Sequence, residues 1–239
     1  MIYNDIRALA VERFKALDIE SDAEFLEFVQ MASEICGTPI ALLTLIDEDI
    51  QWLTVKKGTD VRQMPRKTSF CTHTVLADDV LVVPDAQKDE RFANSPIVAG
   101  GPNIRFYAGT PLVTREGHRV GTLCVIDTEP HELSSTQQSM LKMLGKQAIS
   151  MMEFRISVEL LEENKIKLLK IAHLQAHQFR APLTTVMGMM NLIKTEDYNP
   201  PRQYFELLEN AINNLDEKIH EIVYDVDNMA VINSAAYVN

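Results

Sequence analysis

Three cysteines in 239 residues, at positions 36, 71 and 124, are too few and too far apart for a disulfide framework or a zinc site. Nowhere do the nine glycines gather into a phosphate-cradling loop. Basic charge is also short, with 23 Lys and Arg against 34 Asp and Glu. The resulting net charge of -11 argues against a general binder of nucleic acid or of anionic membranes, since both need a basic surface. No apolar run approaches the roughly 18 residues of a membrane span. The stretch from Met1 to Arg7 lacks the charged-then-apolar order of a signal peptide. Internal repeats and low-complexity segments are missing too. What is present is ordinary for a globular chain, 46% hydrophobic and 24% charged, with length enough for one large domain or two small ones. A reduced, cytoplasmic, acidic protein is expected.

The first part of the chain reads as alternating helices and strands. Ile6, Leu9, Ala10 and Phe14 recur at helical spacing, as do Phe25, Phe28, Val29, Ala32 and Ile35. Ser21 or Asp22 can cap the second helix and Gly37 can end it. Strands are expected at 39–47 and 51–57, joined by Asp47-Glu48-Asp49. A long ordered loop spans 59–103, broken by prolines, with a short helix at 70–76 and a short strand at 80–83; such loops often cover a ligand site. Two strands follow, 105–114 and 119–127, joined by a tight turn at Arg115-Glu116-Gly117-His118. The pattern predicts an α+β domain over residues 1–150, built on a largely antiparallel sheet with flanking helices.

The second part, 151–239, reads as helix. Ser134 or Ser135 can cap a helix that runs past Leu141, Leu144, Ala148, Met151 and onward, with Gly145 weakening its apolar stripe. A second helix begins near Pro201. Its stripe, Leu208, Ile212, Leu215, Ile219, Ile222, Val226 and Met229, alternates steps of four and three like a bundle seam. The connecting turn falls between Thr195 and Pro200. One hairpin cannot bury such a seam alone, so a homodimer closing a four-helix bundle is expected.

Inside the first of these helices stands His177-Gln178-Phe179-Arg180-Ala181-Pro182-Leu183. A proline in a helix removes one backbone hydrogen bond, here to the carbonyl of Gln178, and costs roughly 3 kcal/mol. A kink is therefore expected one turn beyond a titratable side chain. A neutral imidazole is a competent nucleophile near neutral pH, and a guanidinium one turn away can stabilise an incoming phosphoryl group. His173 and His177 stand four apart, a spacing that can hold a metal, but no Glu accompanies them as in a metalloprotease helix and no metal site is assigned.

The seven residues from His177 to Leu183 resemble the H-box of two-component sensor histidine kinases, and the following seamed helix extends the likeness over about residues 160–233. The resemblance implies that His177 accepts phosphate from ATP and passes it to an aspartate of a response regulator, with Arg180 as charge partner and Pro182 as the kink. Two positions depart from the family pattern. Gln178 stands where an acidic residue normally orients the imidazole and takes its proton, and an amide cannot act as that base. Ala181 stands where members that dephosphorylate their regulator often have Thr or Asn, so the resemblance does not imply phosphatase activity. The family's ATP-binding domain, expected after the hairpin, is not found within these residues, so the chain reads either as part of a kinase or as a phosphotransfer protein served by another kinase. The phosphate is therefore expected from an ATP-binding kinase domain or a partner kinase in trans, and the chain is not expected to be a self-sufficient kinase.

The first domain has its own likeness. Ser69-Phe70-Cys71-Thr72-His73, Val83-Pro84-Asp85-Ala86, Asp89-Glu90-Arg91-Phe92, Arg105 to Leu112 and Gly121 to Asp127 together resemble a GAF sensory domain. The resemblance implies a ligand pocket between the sheet and the 59–103 loop, with Trp52, Phe70, Cys71, His73, Phe106 and Tyr107 as candidate lining residues and plain core packing as their alternative role. The ligand is unknown, and no cofactor is assigned. The surroundings of Cys71 do not form a bilin-attachment motif, so Cys71 reads as a small buried hydrophobe. The combined expectation is a GAF module governing a dimeric phosphoacceptor bundle. The alternative is a dimeric scaffold or ligand-responsive regulator whose H-box is vestigial.

Overall fold

The computed structural model describes residues 2–195, 199 and 201–236, the side chains at 2–5, 174, 175, 177, 221 and 223–236 excepted. The chain divides into two compact units, Met1–Leu160 and Leu161–Asn239, and the division falls inside one long helix.

In the first unit, helices α1 (Ile2–Lys15) and α2 (Ala23–Cys36) precede strands β1 (Ile40–Ile46) and β2 (Ile50–Lys57). Short elements follow: β3 (Gln63–Pro65), α3 (Cys71–Thr74), β4 (Leu81–Val83) and α4 (Pro96–Ala99). Strands β5 (Phe106–Val113) and β6 (Arg119–Asp127) complete the sheet, and helix α5 (Ser135–Thr195) leaves it. All strand pairs are antiparallel, in the order β3-β2-β1-β6-β5-β4. This is the α+β arrangement that the sequence pattern predicts, an antiparallel sheet with flanking helices followed by a long helix.

Local chemistry sets the element ends. The Asp22 carboxylate accepts from the amides of Glu24 at 3.0 Å and Phe25 at 3.4 Å and so caps α2. At the other end Gly37 sits at φ 68° and donates to the Glu34 carbonyl, while Thr38 donates to that of Ser33. That is a Schellman closure, which needs the left-handed conformation that glycine adopts freely. Helix α5 opens with a reciprocal cap: the Ser134 hydroxyl accepts from the Gln137 amide, and the Gln137 side chain accepts from the Ser134 amide. Gln137 also donates to the Ile35 carbonyl at 2.9 Å, tying the start of α5 to the end of α2.

Two cores lie on opposite faces of the sheet. On one, Phe25, Val29 and Cys36 of α2 and Leu141, Ala148 and Met152 of α5 pack on Leu43, Leu45, Leu123 and Val125. On the other, Phe70, Cys71, Phe92 and Val98 pack on Leu42, Ile46, Tyr107 and Cys124. A bulge in β2 adjusts the alternation. Thr44 pairs with Leu53 and Leu43 with Val55, so Thr54 is the extra residue. Leu53 therefore joins the second core while Val55 joins the first.

The 59–103 segment holds more structure than its prolines suggest. Pro96 opens α4 because a first helical position has no use for the N–H that proline lacks. Strand β3 pairs for only three residues at the sheet edge, too short to leave a periodic signal.

In the second unit α5 continues to Thr195 and α6 spans Arg202–Ala236. Positions 196–198 and 200 of the expected turn, and the side chains of Val226 and Met229, lie outside the described residues. Among the described residues, no helix is long and apolar enough to cross a membrane.

Candidate functional site

Between the second face of the sheet and the segment from Gly58 to Ile104 lies a cavity of about 360 Å³. Its walls are mainly aliphatic, with Leu42, Leu53, Met64, Ile97 and Ile126 drawn from five different elements. Thr59 interrupts them at the loop, and four further polar side chains, Gln51, Ser69, Cys71 and Tyr107, are joined by hydrogen bonds into one cluster. Ser69 Oγ donates to Gln51 Oε1 and accepts from the Cys71 amide at 3.0 Å. Gln51 Nε2 donates to Cys71 Sγ at 3.2 Å, and Tyr107 Oη lies 3.5 Å from the same sulfur and 2.6 Å from Thr74 Oγ1. Cys124 Sγ stands 3.8 Å from Cys71 Sγ.

The strand register makes this cluster possible. Tyr107 and Gly109 share one face of β5, and a Cβ at position 109 would overlap the Tyr107 hydroxyl and crowd the Cys124 Cβ. The missing side chain lets the phenol lie over the strand and reach Cys71. Phe70 stacks on the Tyr107 ring at 4.9 Å, which holds it in place.

The same surroundings separate the two thiols electrically. Burial pushes Cys71 up, but hydrogen bonds from Cys124, Thr122, Tyr107 and Ser69 outweigh it and bring Cys71 down to about 6. Cys124 moves the other way, well above its ordinary value, through its hydrogen bond to Cys71 and its burial. Burial and the neighbouring thiols likewise raise Tyr107. Of the two cysteines, Cys71 gives up its proton first.

Of the six residues expected to line a pocket, the structure gathers Phe70, Cys71 and Tyr107 here. Trp52 and Phe106 neighbour Gln51 and Tyr107 along their strands, and alternation turns them to the opposite face. There Lys15 Nζ lies 4.7 Å from the Trp52 ring centre, and Phe106 lies 5.1 Å from the His131 ring. His73 packs edge-on against Phe92 at 4.9 Å, away from the cavity wall, and burial together with Arg91 pushes its imidazole below the ordinary value. Gln51 and Ser69 are cavity residues outside those six. A signal for Gln51 existed, a glutamine at an inward position of an alternating strand, where an unpaired amide would be costly.

The second site candidate lies in the second unit. The stretch from His177 to Leu183 is helical throughout, within α5. Gln178, Arg180 and Ala181 are exposed, Phe179 is half-buried and Pro182 is buried; the side chain of His177 lies outside the described ones. After the proline, Thr184 and Thr185 donate their hydroxyls to the carbonyls of Arg180 and Ala181 at 2.7 and 3.2 Å.

An antiparallel sheet carrying helices on one face and a loop-roofed cavity on the other defines an α+β domain. Residues 21–150, more than half of the chain, match the GAF domain, and the chain belongs to the GAF domain family. Among curated proteins, a cyclic di-GMP phosphodiesterase of Pseudomonas aeruginosa is 44% identical over 124 residues, which cover 52% of this chain. The chain spans only 21% of the length of that relative. Among solved structures, the GAF domain of an Acinetobacter phosphoenolpyruvate-protein phosphotransferase aligns with a TM-score of 0.46 at 17% identity, covering 66% of this chain and 94% of that one. A type II free methionine-R-sulfoxide reductase of Thermoplasma acidophilum aligns with a TM-score of 0.46 at 12% identity, covering 63% and 94%. Membership of the GAF family supports a signalling role.

Proposed function

We propose that this chain is the sensory and phosphoacceptor part of a two-component signalling system. In this reading the GAF cavity takes a small molecule, and α5 is the covalent link from that domain to His177. His177 would receive a phosphoryl group from ATP held by a kinase domain in trans, with ADP leaving. It would then pass the group to the aspartate of a response regulator. Arg180, exposed one turn from His177, is suited to neutralise the incoming phosphoryl oxygens. Gln178 can orient the imidazole but cannot take its proton, which would go to solvent.

The observation that carries this reading is the seven-residue H-box on one helix followed by a second helix with an apolar seam. The experiment is transfer from labelled ATP by a supplied ATP-binding kinase domain. Acid-labile label on the wild type that disappears in His177→Ala, and moves to a receiver domain, is the expected result. Label that persists in His177→Ala, or none in the wild type, overturns it.

Gln178 and Ala181 favour a second reading, a dimeric scaffold or ligand-responsive regulator with a vestigial H-box. Binding of a response regulator without phosphate transfer is its signature. The cyclic di-GMP phosphodiesterase relative supports the signalling context that both readings share.

A further inference from the structure

We propose that Cys71 and Cys124 form an oxidisable dithiol that closes to an intradomain disulfide on reaction with a hydroperoxide. The pair is set apart from the remaining cysteine by the sheet itself. Cys36 packs in the helix-side core, while Cys71 and Cys124 share the cavity-side core. Their sulfurs, 3.8 Å apart, must approach by about 1.8 Å to reach bonding distance, within the reach of side-chain rotation and a small shift of a short helix. Cys124 is fixed in the middle of the sheet, opposite Leu42 on one side and Gly109 on the other. Cys71 sits in the single-turn helix α3, so it is the partner that can move.

The two thiols have different jobs. Donors converge on the Cys71 sulfur from Gln51 Nε2 and Tyr107 Oη, an arrangement that favours a thiolate over a thiol. Cys71 is buried but lines the cavity, and in this proposal the cavity is the route that a small oxidant takes. Cys124, held on the sheet 3.8 Å from that sulfur, is placed to resolve the oxidised Cys71. The Cys71 thiolate attacks the distal oxygen of the hydroperoxide; the O–O bond breaks, an alcohol or water leaves after taking a proton, and Cys71 becomes a sulfenic acid. The Cys124 sulfur then attacks Cys71, the S–O bond breaks and water departs with the Cys124 proton. Two thiols are oxidised by two electrons and one hydroperoxide is reduced. A reductant of the dithiol class reverses the change. Because Cys71 is part of the cavity wall, closure alters the volume that any ligand would meet.

This inference is independent of His177. Its test uses the full chain exposed to hydrogen peroxide or cumene hydroperoxide, acid-quenched, alkylated and mapped by mass spectrometry. The expected result is loss of two of the three alkylatable thiols. A peptide linking Cys71 to Cys124 should appear within one chain, and dithiothreitol should reverse it. Cys124→Ser should stop at a sulfenic acid on Cys71, trapped by dimedone, with Cys36 untouched. The proposal is overturned if all three thiols of the native protein stay alkylatable while the guanidinium-unfolded chain oxidises. It is equally overturned if linkages involve Cys36 or join two chains, or if wild-type Cys71 proceeds to sulfinic acid with Cys124 still reduced. The wild-type result decides the matter even where a serine variant folds poorly.

Discussion

Tyr107 carries more of the cavity than its single hydroxyl suggests. It is fully buried, stacks on Phe70, contacts Thr74 and points at Cys71. Tyr107→Phe keeps the ring and removes only the hydroxyl, so the loss is that of one or two buried hydrogen bonds. Thr74 can still donate to the Phe70 carbonyl at 3.4 Å, which limits the penalty. A cost of about 1–2 kcal/mol is expected in urea unfolding. The Cys71 thiolate loses a donor at the same time, so the pH at which it becomes reactive should move upward, measured by the rate of alkylation against pH. At this scale the sequence was only partly legible. Phe70, Cys71 and Tyr107 are legible as pocket-lining candidates through the GAF-like motifs that hold them, with Cys71 read as a small buried hydrophobe. The face each residue takes depends on strand phase, and the bulge at Thr54 shifts that phase within β2. Without the register, the sequence does not show that Trp52 and Phe106 face away from the cavity while their neighbours Gln51 and Tyr107 face it.

Helices and hairpin strands were the most legible elements, because their periodicity and caps are local. Gly145 was not. In the sequence it weakens a helical stripe, but in the fold it lets α5 approach β5: a Cβ there would overlap Thr110 Cγ2. Two effects compete in Gly145→Ala. Helix propensity favours alanine by about 1 kcal/mol. Overlap with a β-branched side chain that has little rotamer freedom costs about 1–3 kcal/mol. The overlap is expected to win, lowering the melting temperature, and Thr110→Ser should restore it in the double variant by removing the offending methyl. The α2 cap makes a second test. Asp22 accepts two amides and meets Arg155 at 2.6 Å, so Asp22→Ala should cost about 1 kcal/mol at neutral pH. Burial pushes the Asp22 carboxyl up, but Arg155 and the amides outweigh it and hold it below its ordinary 3.8. Its contribution is thus complete above that value and lost as pH falls through the lower folded one. The wild-type advantage over Asp22→Ala should persist at about pH 5 and shrink below about pH 4, followed by chemical unfolding at each pH.

At the scale of the molecule the order of parts was legible, a sheet domain followed by two long helices, since it rests on changes in periodicity along the chain. The Cys71–Cys124 approach was not, because 53 residues separate them and only the sheet brings them together. Assembly is the remaining question at this scale. Along α6 the apolar seam is unevenly covered: Leu208, Leu215 and Ile222 are half-buried, while Ile212 and Ile219 are 47% and 44% exposed. On the second-unit part of α5, Leu168 and Leu169 are exposed as well. Each such side chain, if fully buried, contributes about 1.5–3 kcal/mol. A second copy of the same helices would supply that cover with matching residues and close a bundle. Sedimentation equilibrium of the wild type should therefore give a dimer mass at micromolar concentration. Ile212→Glu with Ile219→Glu should give a monomer, because a charge buried in that seam lacks a partner. Both substitutions lie in the second unit, so thiol accessibility at Cys36, Cys71 and Cys124 should stay unchanged and separate loss of dimer from loss of fold. A monomeric wild type, or a double variant that remains dimeric with its fold intact, would mean that these exposed residues serve another surface.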